Sequence, residues 1–359
     1  MGPTAGAEVL TVDDESRWRE LLPAAASVFG SVEFARIRRD HARVEPRLFA
    51  FPAGDGHVVH PLLLSSTASL SLGEEAERTL FDAATPEYSG PFASTSPSPA
   101  DRDAFSEALG GWCAGAGVVT EFDHLHPWKA RTELLDPDGI EHDREIVYVD
   151  VTQDPDTLWR ESFTHACRKN VNRARREGVR VFAATSEGHA RELHRIYELT
   201  MDRQGALDSY YFPPEYFVSF LDQLPGNSRI LLAELDGRVI AATLYLHDDT
   251  DAYSYLGGAD HEFQHARPTN AIVHEMIRWT REQGLQRLVL GGGYAPNDGI
   301  MRFKASFSPL RADFRVYRHV HLQDEYAGLR DAWRRRHGGA AEQRFFPPYR
   351  AEPAPPEPS

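Results

Sequence analysis

The chain has 359 residues, of which 41% are hydrophobic and 26% charged, with a formal net charge of −15. That length exceeds what one hydrophobic core ordinarily supports, so two domains are expected, and no run approaches the roughly 20 apolar residues that a membrane span requires. The acidity also limits nucleic-acid partners, because any phosphate would have to be met by a local basic patch against a repulsive overall field.

Cys113 and Cys167 are the only cysteines, far apart and in unlike contexts. They fit neither a disulfide framework nor a cysteine-rich zinc site, and they point to a reducing compartment. MGPTAGAEVLTVDDE at the N-terminus shows neither a basic region nor an apolar core of a secretory signal, so the expected location is the cytoplasm.

Residues 14–25 read as a helix, followed by strands at RLFAFPA from Arg47 and HVVHPLLL from His57. The Pro/Ser-rich stretch 83–103 is a break, a helix runs on to about Cys113, and VVTEFDHL (118–125) is a strand. Turn residues at 134–145 mark a boundary, giving domains 1–145 and 146–322 and a C-terminal piece 323–359 that holds a helix and a tail.

In the second domain REIVYVDV (144–151) is a strand, and Asp154 caps a single helix running to Arg176. After VRVFAA come a helix from Glu187 to about Met201 and a short one from Pro213. RILLAEL, RVIAATLYLH and DAYSYLGGA, joined by turns at Asp236-Gly237 and Asp248-Asp249, form an antiparallel meander. Pro268 opens a helix with Ile272, Met276 and Ile277 on its apolar face, ending at Gly284. QRLVL, a Gly-rich loop, a short helical turn and RADFRVYRHVHL close the domain. The tail after Arg344 is Pro-rich and expected to be disordered beyond Tyr349. The fold class is α/β (α+β), with mixed sheets flanked by helices. Two units of similar length allow a duplicated fold, although no sequence repeat is visible.

The most informative segment is LVLGGGYAPNDGIMRFKASFSP (288–309). A buried strand runs into three glycines, whose backbone a ligand can approach closely, and then into Phe303-Lys304 on a short turn. It is neither a phosphate loop nor a dinucleotide fingerprint, and the chain has no G-x-S-x-G elbow. Spacing alone leaves Lys304 either solvated or functional.

Arg168, Lys169, Arg173, Arg175 and Arg176 on the helix, with Arg180 just beyond it, form a basic cluster opposed nearby only by Glu177. It reads either as a phosphate-contacting face or as a solvated one. Arg330, Arg334, Arg335 and Arg336 read as solvated surface, as do the turn residues Asp248, Asp249 and Asp251. His319 and His321 alternate to one side of a strand, but no third ligand accompanies them, so packing is expected and no metal site.

The order of these motifs resembles the Fem family of aminoacyl-tRNA transferases. Gly291, Gly292, Phe303, Lys304 and Phe307 match its closing signature, and PTNAIVHEMIRWTREQG, CRKNVNRARREGVRV and TPEYSGPFA are similar to its other segments. The resemblance covers most of residues 30–320, and the absence of a long helical arm makes it the compact FemX type.

It implies two tandem GNAT-like domains, an acceptor side in the first and a tRNA side in the second. It also implies transfer of an aminoacyl group from aminoacyl-tRNA, as co-substrate and without a further cofactor, to an amine of a peptide-like metabolite or peptidoglycan precursor. Natural-product biosynthesis is one setting for such a step, and a monomer is compatible with it. An aminoacyl ester is already activated, so the enzyme needs to position the amine, stabilise an oxyanion and exclude water. Lys304 suits the oxyanion role, and Phe303 suits stacking on the aminoacyl or adenine end. The basic helix (Arg168, Lys169, Arg173, Arg175, Arg176) would take the tRNA, and Arg36, Tyr88 and Arg203 the acceptor.

Two alternatives stay open: an acyl-CoA-dependent N-acyltransferase, and a non-catalytic binding module on the same fold. The first needs backbone N–H groups in a Q/R-x-x-G-x-G/A loop, whereas Gln264-His265-Ala266-Arg267-Pro268-Thr269 lacks both glycines.

Overall fold

The structure is a computed structural model that describes residues 6–72, 79–293, 295, 298–337 and 345–351. The chain divides into two compact units, Met1–Asp143 with Arg315–Ser359, and Arg144–Phe314. The strands in chain order are β1 (Glu8–Leu10), β2 (Glu45–Ala53), β3 (Gly56–Ser66), β4 (Phe81–Ala84), β5 (Phe92–Ala93), β6 (Val118–Leu125), β7 (Ile140–Asp150), β8 (Arg180–Ala183), β9 (Ser228–Leu235), β10 (Arg238–His247), β11 (Asp251–Ala259), β12 (Arg287–Gly291) and β13 (Arg311–Val320).

In the first unit β1, β2 and β3 pair antiparallel, β3 also carries β4 and β5, and β4 runs parallel to β6. Residues 315–320 of β13 pair antiparallel with β6, Tyr317 opposite Asp123 and His319 opposite Glu121. The sequence places 315–322 in the second domain; this pairing assigns them to the first unit instead. The helix Pro99–Ala116 begins in a capping box of Ser98 and Asp101. It lays Phe105, Ala108, Leu109 and Cys113 over Phe49, Val58, Leu62 and Val118. A second cluster joins Trp18, Leu21, Val32 and Ala35 to Leu48, Val59 and Phe92.

The stretch 83–103, a break by composition, thus carries the buried Ala83 and Phe92 and the short strand β5. Tyr349 is buried with its hydroxyl donating to Asp82, and Arg350 donates from Nε to the same carboxylate at 2.6 Å. The chain is therefore tied down at least one residue past Tyr349. The expected disorder beyond that falls on 352–359, outside the described residues.

In the second unit β8–β9–β10–β11 form the antiparallel meander, and β12 joins β11 in parallel. That parallel pairing covers only Asp251–Tyr253 against Arg287–Val289. On its other edge β12 pairs antiparallel with β7 from Arg287 to Gly291, which lies opposite Val147. One core cluster joins Cys167 and Val171 of the helix His165–Arg176 and Ile272, Val273 and Met276 of the helix Pro268–Glu282 to Val149, Leu231, Tyr245 and Leu288. The helices Glu187–Gln204 and Pro214–Gln223 pack on strands of the meander through side chains such as Leu193, Ile196, Phe217 and Phe220.

Two readings are corrected here. The helix expected from Asp154 to Arg176 is interrupted. A single turn, Pro155–Thr157, passes into a π-helical turn, Leu158–Ser162, Phe163 is extended, and Thr164 caps a new helix by accepting from Cys167 N at 3.2 Å. Asp248 and Asp251 are buried rather than solvated, and only Asp249 is exposed. Asp248 accepts from Tyr253 Oη at 2.8 Å, and Asp251 receives both Nε (2.5 Å) and Nη2 (3.1 Å) of Arg287.

Candidate active site

The signature segment folds back on itself. Gly291, at φ +80°, turns the chain as it leaves β12. A Cβ on Gly292 would lie 2.9 Å from both Arg144 Cδ and the Glu145 carbonyl oxygen, and one on Gly293 would lie 2.5 Å from an Asp298 oxygen. These two positions admit no side chain, so the glycines exist for close packing of the loop.

Asp298 holds the other end. Its carboxylate accepts from Met301 N at 2.7 Å and from Ala295 N at 3.1 Å, capping the helix Gly299–Ala305. Three residues further, Lys304 donates from Nζ to the Gly292 carbonyl at 2.7 Å. Arg144 donates from Nη1 to the Gly293 carbonyl at 3.2 Å.

Burial pushes the Lys304 amine down to about 8, with Asp298 acting against the shift and the Arg144 guanidinium adding to it. One N–H of the ammonium is used by Gly292, which leaves two for an incoming group. Two cations and one carboxylate thus converge on the run Gly291–Gly293. Arg144 and Asp298 are members that sequence reasoning missed. Asp298 had a local signal, since Asp before Gly and three residues ahead of Met301 is a cap pattern; Arg144 had none.

Phe303 is partly buried against the core, its ring 5.4 Å from Phe307 at 75°. Phe307 is fully buried and meets Phe163 edge-on at 5.4 Å, so the aromatic pair anchors the short helix that carries Lys304. Beside Phe163, Pro155, Leu158, Trp159, His274 and Ile277 line an apolar cleft of about 230 Å³, with Arg278 and Arg281 at its edge. Burial lowers the His274 imidazole from its ordinary range, and Arg175 lowers it further.

The basic helix divides into clamps and free cations. Arg168 Nη1 donates to the carbonyls of Trp159 (3.1 Å), Arg160 (3.0 Å) and Phe163 (2.5 Å), so this guanidinium closes the end of the π-helical turn instead of facing solvent. Arg173 pairs with Glu177 at 3.4 Å and Arg180 with Glu234 at 3.0 Å. Lys169, Arg175 and Arg176 are exposed and have no ion-pair partner among the described residues.

The other expected site residues are dispersed. Arg36 is ion-paired with Glu15. Tyr88 is half-buried at φ +48°, its ring 5.9 Å from Phe29 and 6.3 Å from His126. Arg203 is exposed in the last turn of the helix Glu187–Gln204. The second basic run is mixed: Arg334 lies 3.7 Å from Asp331, and Arg336 bonds the Ser71 carbonyl.

Comparison with known proteins agrees with this architecture. The sequence model described as an acetyltransferase (GNAT) domain matches residues 162–305. The fold is similar to that of FemX (TM-score 0.63, 14% identity), with 89% of this chain and 98% of FemX covered. It is also similar to a conserved protein of unknown function from Bacteroides thetaiotaomicron (TM-score 0.56, 12% identity, 87% and 98% covered). A third likeness is to the C-terminal DUF2156 domain of an Agrobacterium fabrum protein described as a lysylphosphatidylglycerol synthetase (TM-score 0.52, 14% identity, 90% and 96% covered). No curated protein sequence matches significantly. The chain thus has the FemX-like fold of tandem GNAT-like domains, which is an acyltransferase architecture. The signature helix and its glycines lie within the matched GNAT segment.

Proposed function

We propose that this acyltransferase moves an aminoacyl group from aminoacyl-tRNA to the amine of a peptide-like acceptor, and that it needs no further cofactor. The observation that carries the choice of donor is the start of the helix Pro268–Glu282. A coenzyme A pyrophosphate binds to consecutive free N–H groups at such a helix start. Here Arg267 sits at φ +60°, Pro268 has no N–H, and the N–H groups of Asn270 and Ala271 are already directed at the Arg267 carbonyl, at 3.1 and 3.4 Å. No consecutive pair of free donors remains for a phosphate.

An aminoacyl ester requires no such cradle. The acceptor nitrogen attacks the ester carbonyl, the N–C bond forms, and the carbonyl oxygen takes up negative charge. Collapse breaks the C–O bond, and the 3′ oxygen of the tRNA leaves with the proton given up by the amine. The spare N–H bonds of Lys304 are suited to the oxyanion. The exposed Lys169, Arg175 and Arg176 are suited to phosphates of the acceptor arm, and Arg203 retains an exposed guanidinium for an anionic acceptor. The first domain would supply the remaining acceptor contacts.

Parallel incubation of the protein with charged tRNA and with acetyl-CoA, each with a panel of amines, tests the reading. Amide product with release of uncharged tRNA is expected. Thiol release from acetyl-CoA, with a clear rise in melting temperature, would reject it; a ligand at 100 times its Kd stabilises by about 2.7 kcal/mol, so genuine binding is easily seen.

The basic helix has its own test. Replacing Lys169, Arg175 and Arg176 together by Ala should weaken tRNA binding and flatten its salt dependence by about one slope unit per lost phosphate contact. An unchanged slope would make this a solvated face.

A further inference from the structure

Among the described residues, no arginine or lysine pairs with the buried carboxylates of Glu121 and Asp123 in the core of the first unit. Glu121 and Asp123 project from β6 to the same side as His60 of β3, beneath the helix Pro99–Ala116, and are 0% exposed, as is His60. His60 Nε2 lies 2.7 Å from Glu121 Oε1 and 3.3 Å from Asp123 Oδ2. The other oxygen of Glu121, Oε2, lies 2.8 Å from His321 Nε2. Neither oxygen of Asp123 has a hydrogen-bond partner among the described residues, although the side chain is completely buried and points at the His60–Glu121 pair.

We infer that His60 Nε2, Glu121 Oε1 and the Asp123 carboxylate bind a divalent transition ion of the zinc class, with His321 holding Glu121 in place from behind. Three arguments lead there. Buried charges are paired or coordinate metals, and the fully buried Asp123 carboxylate faces His60 and Glu121 with no hydrogen-bond partner for either oxygen among the described residues. The donor set of imidazole nitrogen and carboxylate oxygen is the one zinc accepts, at about 2.0–2.2 Å per bond. Tetrahedral ligands at that distance stand roughly 3.3–3.5 Å apart. The His60–Asp123 separation already meets this, and the His60–Glu121 pair needs to open by roughly 0.6 Å.

The arrangement also has an outer layer. A ligating carboxylate is ordinarily fixed by a hydrogen bond to its free oxygen, which is what His321 provides for Glu121. Cys113 Sγ lies within 4.8 Å of Glu121 and His321 but does not belong to the His60 triad. The two-histidine reading of RHVHL therefore resolves unequally. His319 stacks on Tyr317 at 5.9 Å and 7°, and His321 joins residues about 200 and 260 positions away in sequence.

The test uses the full chain, unfolded in chelator and refolded with and without Zn²⁺, because a site buried this deeply fills as the chain folds. After removal of loose metal, about one equivalent of zinc per chain is expected, with the melting midpoint raised by roughly 5 °C or more over the chelator-refolded protein. Asp123→Asn should fold and retain less than about a tenth of an equivalent, and His321→Gln should weaken affinity by about 10–100-fold. Cys113→Ser should retain the ion. The Co²⁺ form of the wild type reports the donors without any variant, and its spectrum should lack thiolate charge-transfer absorption. Wild type holding no zinc with an unchanged midpoint would overturn the inference, leaving a metal-free ion cluster. So would full zinc retention in Asp123→Asn, or a thiolate band placing the ion on Cys113.

Discussion

Lys304→Ala is expected to lower turnover by roughly 10²–10³, the cost of removing one preorganised oxyanion donor. The ammonium is held at the Gly292 carbonyl, 2.7 Å away, by a helix that Asp298 caps, so it requires no reorganisation when charge develops on the substrate. The charged form is the one that stabilises an oxyanion. Since burial brings this amine down to about 8, kcat should fall as pH rises through that value. A rate that instead rises through the same range would mean that the neutral amine is the working form, acting as a base.

The folding contribution has the opposite sign from that of most ion-paired groups. The folded-state pKa lies below the unfolded value of 10.5, so between about 8 and 10.5 the unfolded chain binds more protons, and stability increases with pH across that window. Below it, the native state carries a buried charge at a cost. Lys304→Met, which keeps the stem and discards the charge, should therefore leave the melting temperature at pH 7 unchanged or raised while turnover collapses. Normal turnover in either variant would remove Lys304 from the chemistry.

Much of the second unit was legible in sequence because its signals are local. RVIAATLYLH and DAYSYLGGA coincide with β10 and β11, being β-rich runs bounded by turn residues, and in the first unit VVTEFDHL coincides with β6. The signature was legible because Gly-Gly and Phe-Lys are close in sequence. What escaped depends on distant partners. Arg168 looks like another cation of a basic helix; only the carbonyls of Trp159 and Phe163 make it a clamp. Arg144 reads as the first residue of a strand until Gly293 is folded against it. In VVTEFDHL apolar residues occur on both sides of the alternation, so nothing marks the side of Glu121 and Asp123 as inward until β3 and the end of β13 bring His60 and His321 to them. Asp248 and Asp251 were misread for the same reason, since a turn residue is solvated by default and its counter-charge lies in another strand.

That last error leads to the second large effect: Arg287→Ala should destabilise the second unit by about 3–5 kcal/mol. Asp251 opens β11 with no exposure, and Arg287 opens the parallel neighbour β12 in direct register with it. The guanidinium gives both Nε and Nη2 to this carboxylate, while Asp248, also buried, is bound by Tyr253 and by the N–H groups of Thr250 and Asp251. Deleting the arginine leaves a carboxylate in the core without its counter-charge, and this uncompensated burial, more than the lost attraction, sets the cost. Arg287 is 21% exposed, so water can partly replace it, which favours the lower half of the range. The double variant Arg287→Ala/Asp251→Ala should be no less stable than Arg287→Ala alone, because it removes the orphaned charge together with its partner. Denaturant unfolding of the three variants measures this, and a loss below about 1 kcal/mol for Arg287→Ala would show the pair to be solvated after all. The consequence reaches the active site, since this pair sits at the start of the only three residues over which β11 and β12 are joined. Past Val289 the two strands part, and β12, paired there with β7 alone, runs into Gly291, Gly292 and the carbonyl that holds Lys304. A loosened pair should thus raise the mobility of the signature loop and lower kcat even at temperatures where the variant remains folded.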